Sequence, residues 1–246
     1  MYQFFVEPSQ IQGNRVVITG NDVNHIKNVL RMQPGEEIAV SNGEDGKEYR
    51  CGIESLYEDE IICSLRFVKE DGVELPSKIY LFQGLPKADK MELIVQKAVE
   101  LGVYEIIPVA TKRAVVKLDE KKAKSKIARW QTISEAAAKQ SKRRIVPEIH
   151  SVMSFKEAIE HSRSCDLKIL PYEAENETSL KKVLKDNTEA KKIAVFIGPE
   201  GGFDDEEVSI AKQNGFEIVT LGPRIMRTET APLACISAIM YEIGDW

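Results

Sequence analysis

The sequence of 246 residues is long enough for one large or two modest domains, and its 43% hydrophobic and 30% charged residues are typical of a globular protein. No apolar run approaches the roughly 18 residues of a membrane span, and the N-terminus lacks the basic and apolar regions of a signal peptide. The four cysteines and three histidines are scattered without metal-site spacing. We therefore expect reduced thiols, a cytoplasmic location, no membrane association and no metal site.

The net charge of −5 is distributed unevenly along the chain. Residues 77–150 carry 16 lysine and arginine residues against 8 acidic residues, whereas the segments on either side are acidic. A basic segment of this kind is a candidate contact surface for a polyanion. Charge alone is equally compatible with a solvated lysine-rich helix face.

Residues 1–74 have the pattern of a small β-barrel or sandwich. Strand-like runs at 15–19, 37–40, 47–53 and 60–68 are separated by turn residues, and a helix is predicted from Val23 to Met32. The polar segment that follows ends at Pro76. We therefore predict two domains, 1–74 and 77–246.

From Lys78 onward the pattern changes to strands that alternate with helices. Strands are predicted at 79–83, 105–110, 166–170, 192–197 and 216–221, with helices between them at 89–101, 123–140 and 155–161 and two more near the C-terminus. Asp89 and Thr230 are predicted N-caps, and Gly102 is a predicted helix stop. This alternation indicates βαβ units and a mostly parallel sheet.

Two glycine-containing loops, residues 197–203 and 221–231, carry the strongest functional signal. Each follows a predicted strand, and its glycines permit positive φ angles and the close approach of a ligand to the backbone. Four acidic residues at 204–207 would repel a phosphate, and the glycine motifs of nucleotide-phosphate sites are absent from the sequence. We expect a ligand held by main-chain groups and an apolar slot, although glycines alone also suit a plain tight turn.

The two loops, G-P-E-G-G-F and L-G-P-R-I-M-R-T-E-T-A, closely resemble those of the SPOUT superfamily of S-adenosylmethionine-dependent RNA methyltransferases. Within it, the chain is similar to the RsmE-type enzymes, which methylate N3 of a uridine in 16S ribosomal RNA. The resemblance extends to residues 83–102, to residues 135–147 and to the N-terminal Phe4, Phe5 and His25, and so covers essentially the full length. Lys142 stands where many members have glycine, and Met226 where leucine is common.

The resemblance implies an α/β fold in which a small PUA-like, RNA-binding β-barrel precedes a SPOUT domain with a mostly parallel sheet and a C-terminal trefoil knot. It also implies a homodimer that completes the active site, S-adenosylmethionine as the cofactor, and 16S rRNA or the small ribosomal subunit as the partner. The cofactor-binding residues that it implies are Leu170, Gly198, Pro199, Glu200, Gly201, Gly202, Leu221, Gly222, Ile225, Met226, Thr230 and Ala231.

Arg227 and Glu229 are the catalytic residues that the resemblance implies, although their spacing alone also fits an exposed ion pair. A guanidinium stays protonated, so Arg227 is expected to stabilise the uracil anion, while Glu229 either accepts the N3 proton or orients Arg227. The candidate RNA-binding residues are His25, Arg31, Lys87, Lys90, Arg113, Lys139, Lys142, Arg143 and Arg144. His25 equally fits a histidine of the protein core.

Two other functions remain open on the sequence. One is a SPOUT enzyme that methylates a ribose 2′-hydroxyl or a tRNA base, against which the N-terminal barrel and the full-length resemblance argue. The other is a non-catalytic RNA-binding module, against which the intact Arg227, Glu229 and glycine loops argue. A dinucleotide-dependent oxidoreductase lacks its glycine fingerprint in this sequence.

Overall fold

The computed structural model describes residues 1–70 and 72–244 and divides into two compact units. Unit 1 consists of residues 1–74 and 138–146, and unit 2 consists of residues 75–137 and 147–246. The segment 138–146 therefore belongs with the N-terminal residues, whereas the linear boundary predicted from the sequence assigned it to the second domain. A sequence pattern cannot show that residues 138–146 return to unit 1, because only contacts between residues distant in the sequence define this arrangement.

Unit 1 is built around one curled sheet. Its strands β1 (Gln3–Phe5), β2 (Ile11–Gln12), β3 (Arg15–Thr19), β4 (Glu37–Ser41), β5 (Glu48–Leu56) and β6 (Glu60–Lys69) lie in the order β1-β4-β5-β6-β3-β2. β1 pairs with β4 in parallel, and the other neighbours are antiparallel. Register shifts between β5 and β6 bend the sheet. The buried side chains on its inner face include Phe4, Val16, Ile18, Ile38, Cys51 and Ile61.

The helix predicted from Val23 to Met32 is present but shorter and partly of another type. It begins as α1 (Asn21–Asn24) and continues as a π-helical turn over His25–Val29, in which the Leu30 N–H donates to the His25 carbonyl at 2.9 Å. Arg31 then adopts a left-handed backbone conformation with φ of 54°. Such single π turns interrupt helices and re-aim the side chains that follow.

The carboxylate of Glu74 fixes the returning segment in unit 1. Its Oε2 accepts hydrogen bonds from Arg143 Nε at 3.0 Å and Nη2 at 2.5 Å, and its Oε1 accepts from the backbone N–H groups of Arg144 at 2.8 Å and Ile145 at 3.2 Å. Arg143 is 4% exposed and Arg144 is 1% exposed. Lys142 has φ of 60°, a conformation that glycine adopts without cost, which accounts for the glycine expected at this position.

Unit 2 contains a parallel sheet, as predicted. Its strands are β7 (Lys78–Gly84), β8 (Glu105–Ala110), β9 (Glu148–Ile149), β10 (Met153–Ser154), β11 (Leu167–Pro171), β12 (Lys192–Ile197) and β13 (Glu217–Val219). They lie in the order β10-β8-β7-β12-β11-β13, with β9 also paired to β8, and each of these pairs is parallel. The buried apolar runs of β7 and β12 pair along their length at the centre of this sheet.

The helices of the second half are α2 (Lys90–Glu100), α3 (Glu120–Gln140), α4 (Phe155–His161), α5 (Leu180–Asp186), α6 (Asp205–Gln213) and α7 (Ala231–Ile243). A capping box of Asp204 and Glu207 begins α6, and Gly102 follows α2 with φ of 90°, as predicted for a helix stop. Asp89 and Thr230 occupy the predicted N-cap positions of α2 and α7, but neither side chain forms a capping hydrogen bond, because neither backbone has the extended conformation that this bond needs.

None of the helices within residues 1–70 and 72–244 is long and apolar enough to cross a membrane. The four cysteines are buried as free thiols, as expected from their spacing. The sheet of unit 2 packs stacked Phe82 and Phe196 against α4, with Phe155 and Phe203 in the same cluster. This rigid layer supports the ends of the strands from which the two glycine loops emerge.

Candidate active site

The strand order of unit 2 brings the two glycine loops together. β11 lies between β12 and β13, so the loops that follow β12 and β13 flank the carboxyl end of β11. They enclose a cavity of about 560 Å³. This volume falls within the roughly 300–1,000 Å³ of small-molecule sites, and the position at the carboxyl ends of parallel strands is where such sites form.

Most of the predicted cofactor-binding residues line this cavity. They are Gly198, Pro199, Glu200, Gly201, Gly202, Leu221, Gly222, Ile225, Met226 and Ala231, and the predicted catalytic residue Arg227 lines it as well. Leu170 and Thr230 do not contribute to its wall. Leu170 is fully buried in the core beneath the strand end, so the next residue, Pro171, forms the wall in its place.

Sequence reasoning missed the part of the wall that follows β11. Tyr172, Glu173 and Asn176 line the cavity, as do Thr220, Arg224 and Thr228 of the second loop. The first three come from a segment with no glycine motif. Only the position of β11 between the two loop-bearing strands reveals them, and that order cannot be read from the sequence pattern.

Gly202 shows why the first loop needs glycine. Its φ is 66°, and a Cβ atom at this position would lie 2.8 Å from Glu173 Oε1. Any other residue would strain the backbone and also displace the Glu173 carboxylate from the cavity wall. The loop therefore approaches the segment after β11 more closely than a side chain would permit.

A chain of buried hydrogen bonds ties the two loops to the sheet. Thr228 Oγ1 in the second loop donates to the Gly198 carbonyl in the first loop at 2.7 Å. Gln83 Nε2, at the end of β7, donates to Thr228 Oγ1 at 3.1 Å. Gln83 has no exposed surface and Thr228 is 5% exposed, so water does not compete for these bonds. The strand ends thus set the relative position of the loops.

Lys90 connects the acidic side chains of both loops. Its Nζ lies 2.9 Å from Glu200 Oε1 and 3.2 Å from Glu229 Oε2. Glu229 Oε1 is in turn 4.0 Å from Arg227 Nη1, whose side chain is 83% exposed beside the cavity. Lys90 was predicted as an RNA contact, but the structure places it in the cavity wall between two carboxylates.

Comparison with known proteins identifies the family. Residues 73–240 match the family model of the RNA methyltransferase domain. The chain belongs to this RNA methyltransferase family. Residues 18–66 match the RNA methyltransferase PUA domain, which confirms the predicted PUA-like barrel and the predicted α/β architecture of this methyltransferase.

Individual relatives of this methyltransferase carry the RsmE designation, which confirms the resemblance. This methyltransferase is 37% identical to ribosomal RNA small subunit methyltransferase E of Bacillus subtilis (strain 168) over 98% of this chain and 97% of that protein. It is 33% identical to ribosomal RNA small subunit methyltransferase E of Neisseria gonorrhoeae, solved with S-adenosyl methionine, with a TM-score of 0.88 over 100% and 99% of the two chains. A methyltransferase of Legionella pneumophila in complex with the cofactor SAM is 32% identical, with a TM-score of 0.85 over 99% and 98%.

The ionic contacts keep both carboxylates of the methyltransferase site charged. A hydrogen bond with its own backbone, aided by Lys90 and Arg227, holds the pKa of Glu229 below its ordinary value against the opposing effect of burial. Burial would raise the pKa of Glu200, but hydrogen bonds from Lys90 and from backbone N–H groups outweigh it and lower that pKa. The Glu200 hydrogen bond likewise raises the pKa of Lys90. All three groups are therefore ionised at neutral pH.

The structure sorts the remaining candidate RNA-binding residues by exposure. In unit 1, His25, Arg31 and Lys142 are exposed, whereas Lys139 pairs with Asp22 at 2.9 Å. His25 is thus a surface histidine of this methyltransferase and not a core residue. In unit 2, Lys87 is exposed, and Arg113 is 39% exposed with its Nε 3.6 Å from Asp204.

Arg143 and Arg144 require a correction. Both were predicted to contact RNA, but their side chains are buried in unit 1. Arg143 binds the Glu74 carboxylate, and Arg144 donates through Nη1 to the Lys69 carbonyl at 3.1 Å. A phosphate contact needs an exposed guanidinium, so these two arginines serve the fold of the methyltransferase.

Proposed function

We propose that this protein transfers a methyl group from S-adenosylmethionine to N3 of a uridine in the 16S rRNA of the small ribosomal subunit. The observation that carries the proposal is the single cavity formed by both glycine loops, with Arg227 and Glu229 beside it. The names of the curated relatives and the S-adenosyl methionine bound in the Neisseria enzyme support the substrate class and the cofactor.

The residues around the cavity fit the proposed methyl donor. Leu221, Ile225 and Met226 offer an apolar surface, and the Ile225 side chain is 89% exposed. The carboxylates of Glu173 and Glu200 suit a ligand that carries positive charge. When bound there, S-adenosylmethionine supplies an electrophilic methyl group on its sulfonium.

The side chains beside the cavity can prepare the acceptor. Uracil N3 carries a proton, so methylation requires its removal while negative charge spreads onto O2 and O4. Arg227 stabilises that charge, because its guanidinium remains protonated and its side chain is 83% exposed beside the cavity. Glu229 holds Arg227 and Lys90, and its lowered pKa makes it a weak base. We therefore favour Glu229 as the residue that orients Arg227 over Glu229 as the proton acceptor, and we assign the N3 proton to solvent water, which reaches the site beside the exposed Arg227.

Replacing Glu229 by glutamine tests this assignment. We expect the single-turnover rate to fall roughly tenfold, since Arg227 loses its ionic partner but remains present. The pH profile above about pH 6 should keep its wild-type shape, because a carboxyl with a lowered pKa takes up its proton only at more acidic pH. Rapid-quench measurements across the pH range provide the check, with Glu206→Gln on exposed α6 as the matched control.

An opposite result would reassign the role. If Glu229→Gln lowers the rate by about 10²–10⁴-fold and abolishes an acidic limb present in the wild-type profile, Glu229 is the proton acceptor. If the rate is unchanged, Glu229 neither accepts the proton nor positions Arg227.

Further features of the proposal concern the assembly. We propose a homodimer that completes the active site, a trefoil knot around the two loops, and action in the cytoplasm, where ribosomal subunits are assembled.

Contact with RNA is assigned to the exposed basic residues of the two units, which are His25, Arg31 and Lys142 in unit 1 and Lys87 and Arg113 in unit 2. Their affinity for RNA should fall steeply with salt, because phosphate contacts release counterions.

Mass-spectrometric analysis of methylated RNA tests the function directly. The protein is incubated with S-adenosylmethionine and either free 16S rRNA or small subunits that lack the modification, and the digested nucleosides are separated. One new N3-methyluridine supports the proposal, and the more reactive of the two substrates is the natural one. A methyl group on ribose, or in added tRNA only, would establish the alternative SPOUT activity. Donor binding without any methyl transfer would indicate a binding module.

A further inference from the structure

Two of the three histidines meet at a glutamate on the sheet of unit 2 that is far from both of them in the sequence. Glu105 is the first residue of β8, His150 follows β9, and His161 is the last residue of α4. His150 Nε2 lies 2.9 Å from Glu105 Oε2, and His161 Nε2 lies 4.0 Å from the same oxygen. One donor atom from each residue can be chosen so that all three lie within 4.8 Å of one another.

We propose that Glu105, His150 and His161 bind a divalent transition-metal ion of the zinc class. Two imidazoles and one carboxylate form a ligand set that Zn²⁺ accepts, with water in the fourth position. Zinc–ligand bonds of about 2.0–2.2 Å place tetrahedral donors roughly 3.3 Å apart. Glu105 Oε2 lies 2.9 Å from His150 Nε2 and 4.0 Å from His161 Nε2, and these two distances bracket that value. Small side-chain rotations would therefore close the site. Magnesium and calcium, which prefer oxygen ligands, are poor candidates for this set.

The surroundings hold the ligands in place. The backbone of Glu105 is held in the sheet between β7 and β9. The His161 ring packs edge-on against Phe82, with ring centroids 6.0 Å apart. The Nδ1 atom of His150 lies 3.9 Å from Glu148 Oε1, so a carboxylate faces the ring nitrogen that does not point to Glu105. A carboxylate that moves from this distance to within hydrogen-bonding distance of the nitrogen would orient the histidine and strengthen its bond to a metal.

The cluster is separate from the methyl-donor cavity. Glu105, His150 and His161 are not among the residues that line it. Glu105 is at the start of β8, where it pairs with Tyr80 of β7. The cavity lies at the other end of the sheet, beyond the paired residues Gln83 of β7 and Ile197 of β12. A bound ion would join the end of α4 and the segment after β9 to the edge of β8. Its effect would therefore be to stabilise unit 2, and donor binding does not depend on it.

No local sequence pattern reveals this cluster, because 45 and 56 residues separate the histidines from Glu105, well beyond the short spacings by which zinc motifs are recognised. From the spacing of the cysteines and histidines we expected no metal site. The proposed site at Glu105, His150 and His161 replaces that expectation. The His161 ring packs edge-on against both Phe82 and His150, and this packing places its Nε2 4.0 Å from the oxygen that accepts from His150.

Titration of the chelator-treated full chain with ZnCl₂ tests the proposal. We expect one ion per chain by calorimetry, a higher melting temperature with Zn²⁺ but not with Mg²⁺, and the absorption bands of tetrahedral Co²⁺ when that ion is used instead. His161→Ala should bind Zn²⁺ at least about tenfold more weakly, and Glu148→Gln about tenfold more weakly. His25→Ala, which removes the exposed histidine of unit 1, is the matched control and should bind as wild type does.

The result that overturns the proposal is equally specific. If Zn²⁺ binds without a defined stoichiometry, or if His161→Ala and His25→Ala bind it equally, the cluster is only a hydrogen-bonded histidine–glutamate group. His161 is partly exposed, so its replacement should leave the fold intact, and circular dichroism together with S-adenosylmethionine binding verifies this for each variant. Loss of zinc binding with retained donor binding also keeps this test independent of the proposed methyltransferase activity.

Discussion

Replacing Arg227 by alanine should lower the turnover number about 10²–10³-fold, the usual cost of removing one group that stabilises charge in a transition state. The affinity for S-adenosylmethionine should stay within about twofold, because the proposed role of the 83% exposed Arg227 guanidinium is to contact the uracil and not the donor. The loss would then lie in the chemical step. Single-turnover kinetics and calorimetric donor binding, measured on the same preparation, separate these two effects.

Arg224→Ala is the matched control for this experiment. Arg224 is an exposed arginine of the same loop and also lines the cavity, but no ion pair links it to Glu229. We expect it to retain turnover within about threefold of wild type. Equal losses in the two variants would mean that the loop requires general positive charge, which contradicts a specific role for Arg227. A loss of donor binding in Arg227→Ala alone would place Arg227 in cofactor recognition.

Replacing Glu74 by alanine should lower the free energy of unfolding by about 3–5 kcal/mol, as expected when one partner of a buried ion pair is removed. Glu74 accepts two hydrogen bonds from the Arg143 guanidinium and two from the backbone N–H groups of Arg144 and Ile145. Arg143 is 4% exposed, so water cannot replace the lost carboxylate without a rearrangement. Urea denaturation followed by circular dichroism measures the change.

Glu70→Gln is the control for this stability experiment. Glu70 pairs with Lys47 at 3.0 Å on the surface, where its side chain is 74% exposed. Removing an exposed pair of this kind should change the free energy of unfolding by less than about 1 kcal/mol. A similarly small change for Glu74→Ala would show that the segment 138–146 is held by its apolar contacts and not by the carboxylate.

The sequence pattern was sufficient for elements whose boundaries are set locally. β12 has the predicted bounds because a short apolar run lies between two lysines and the first glycine loop. The capping box at Asp204 is equally local, because its hydrogen bonds join residues no more than three positions apart. The glycine loops were found for the same reason, since the need for positive φ is a local property.

Features that depend on the order of strands could not be predicted. Tyr172 and Glu173 reach the cavity only because β11 lies between β12 and β13. Burial of Arg143 and Arg144 depends on Glu74, which is about seventy residues away in the sequence. From the pattern of charges alone, these arginines are expected on the surface. The pattern cannot show that Glu74, which is distant in the sequence, contacts them in the folded protein.

The discontinuity of unit 1 sets an order of events during synthesis. The first 74 residues leave the ribosome well before Arg143 and Arg144, yet the carboxylate of Glu74 finds its partners only when the segment 138–146 has emerged. Until then all six strands of the sheet are present, but the Glu74 carboxylate lacks its partners. A fragment that stops at residue 74 would keep the strands and lose these contacts, so we expect it to be less stable than unit 1 with residues 138–146 in place.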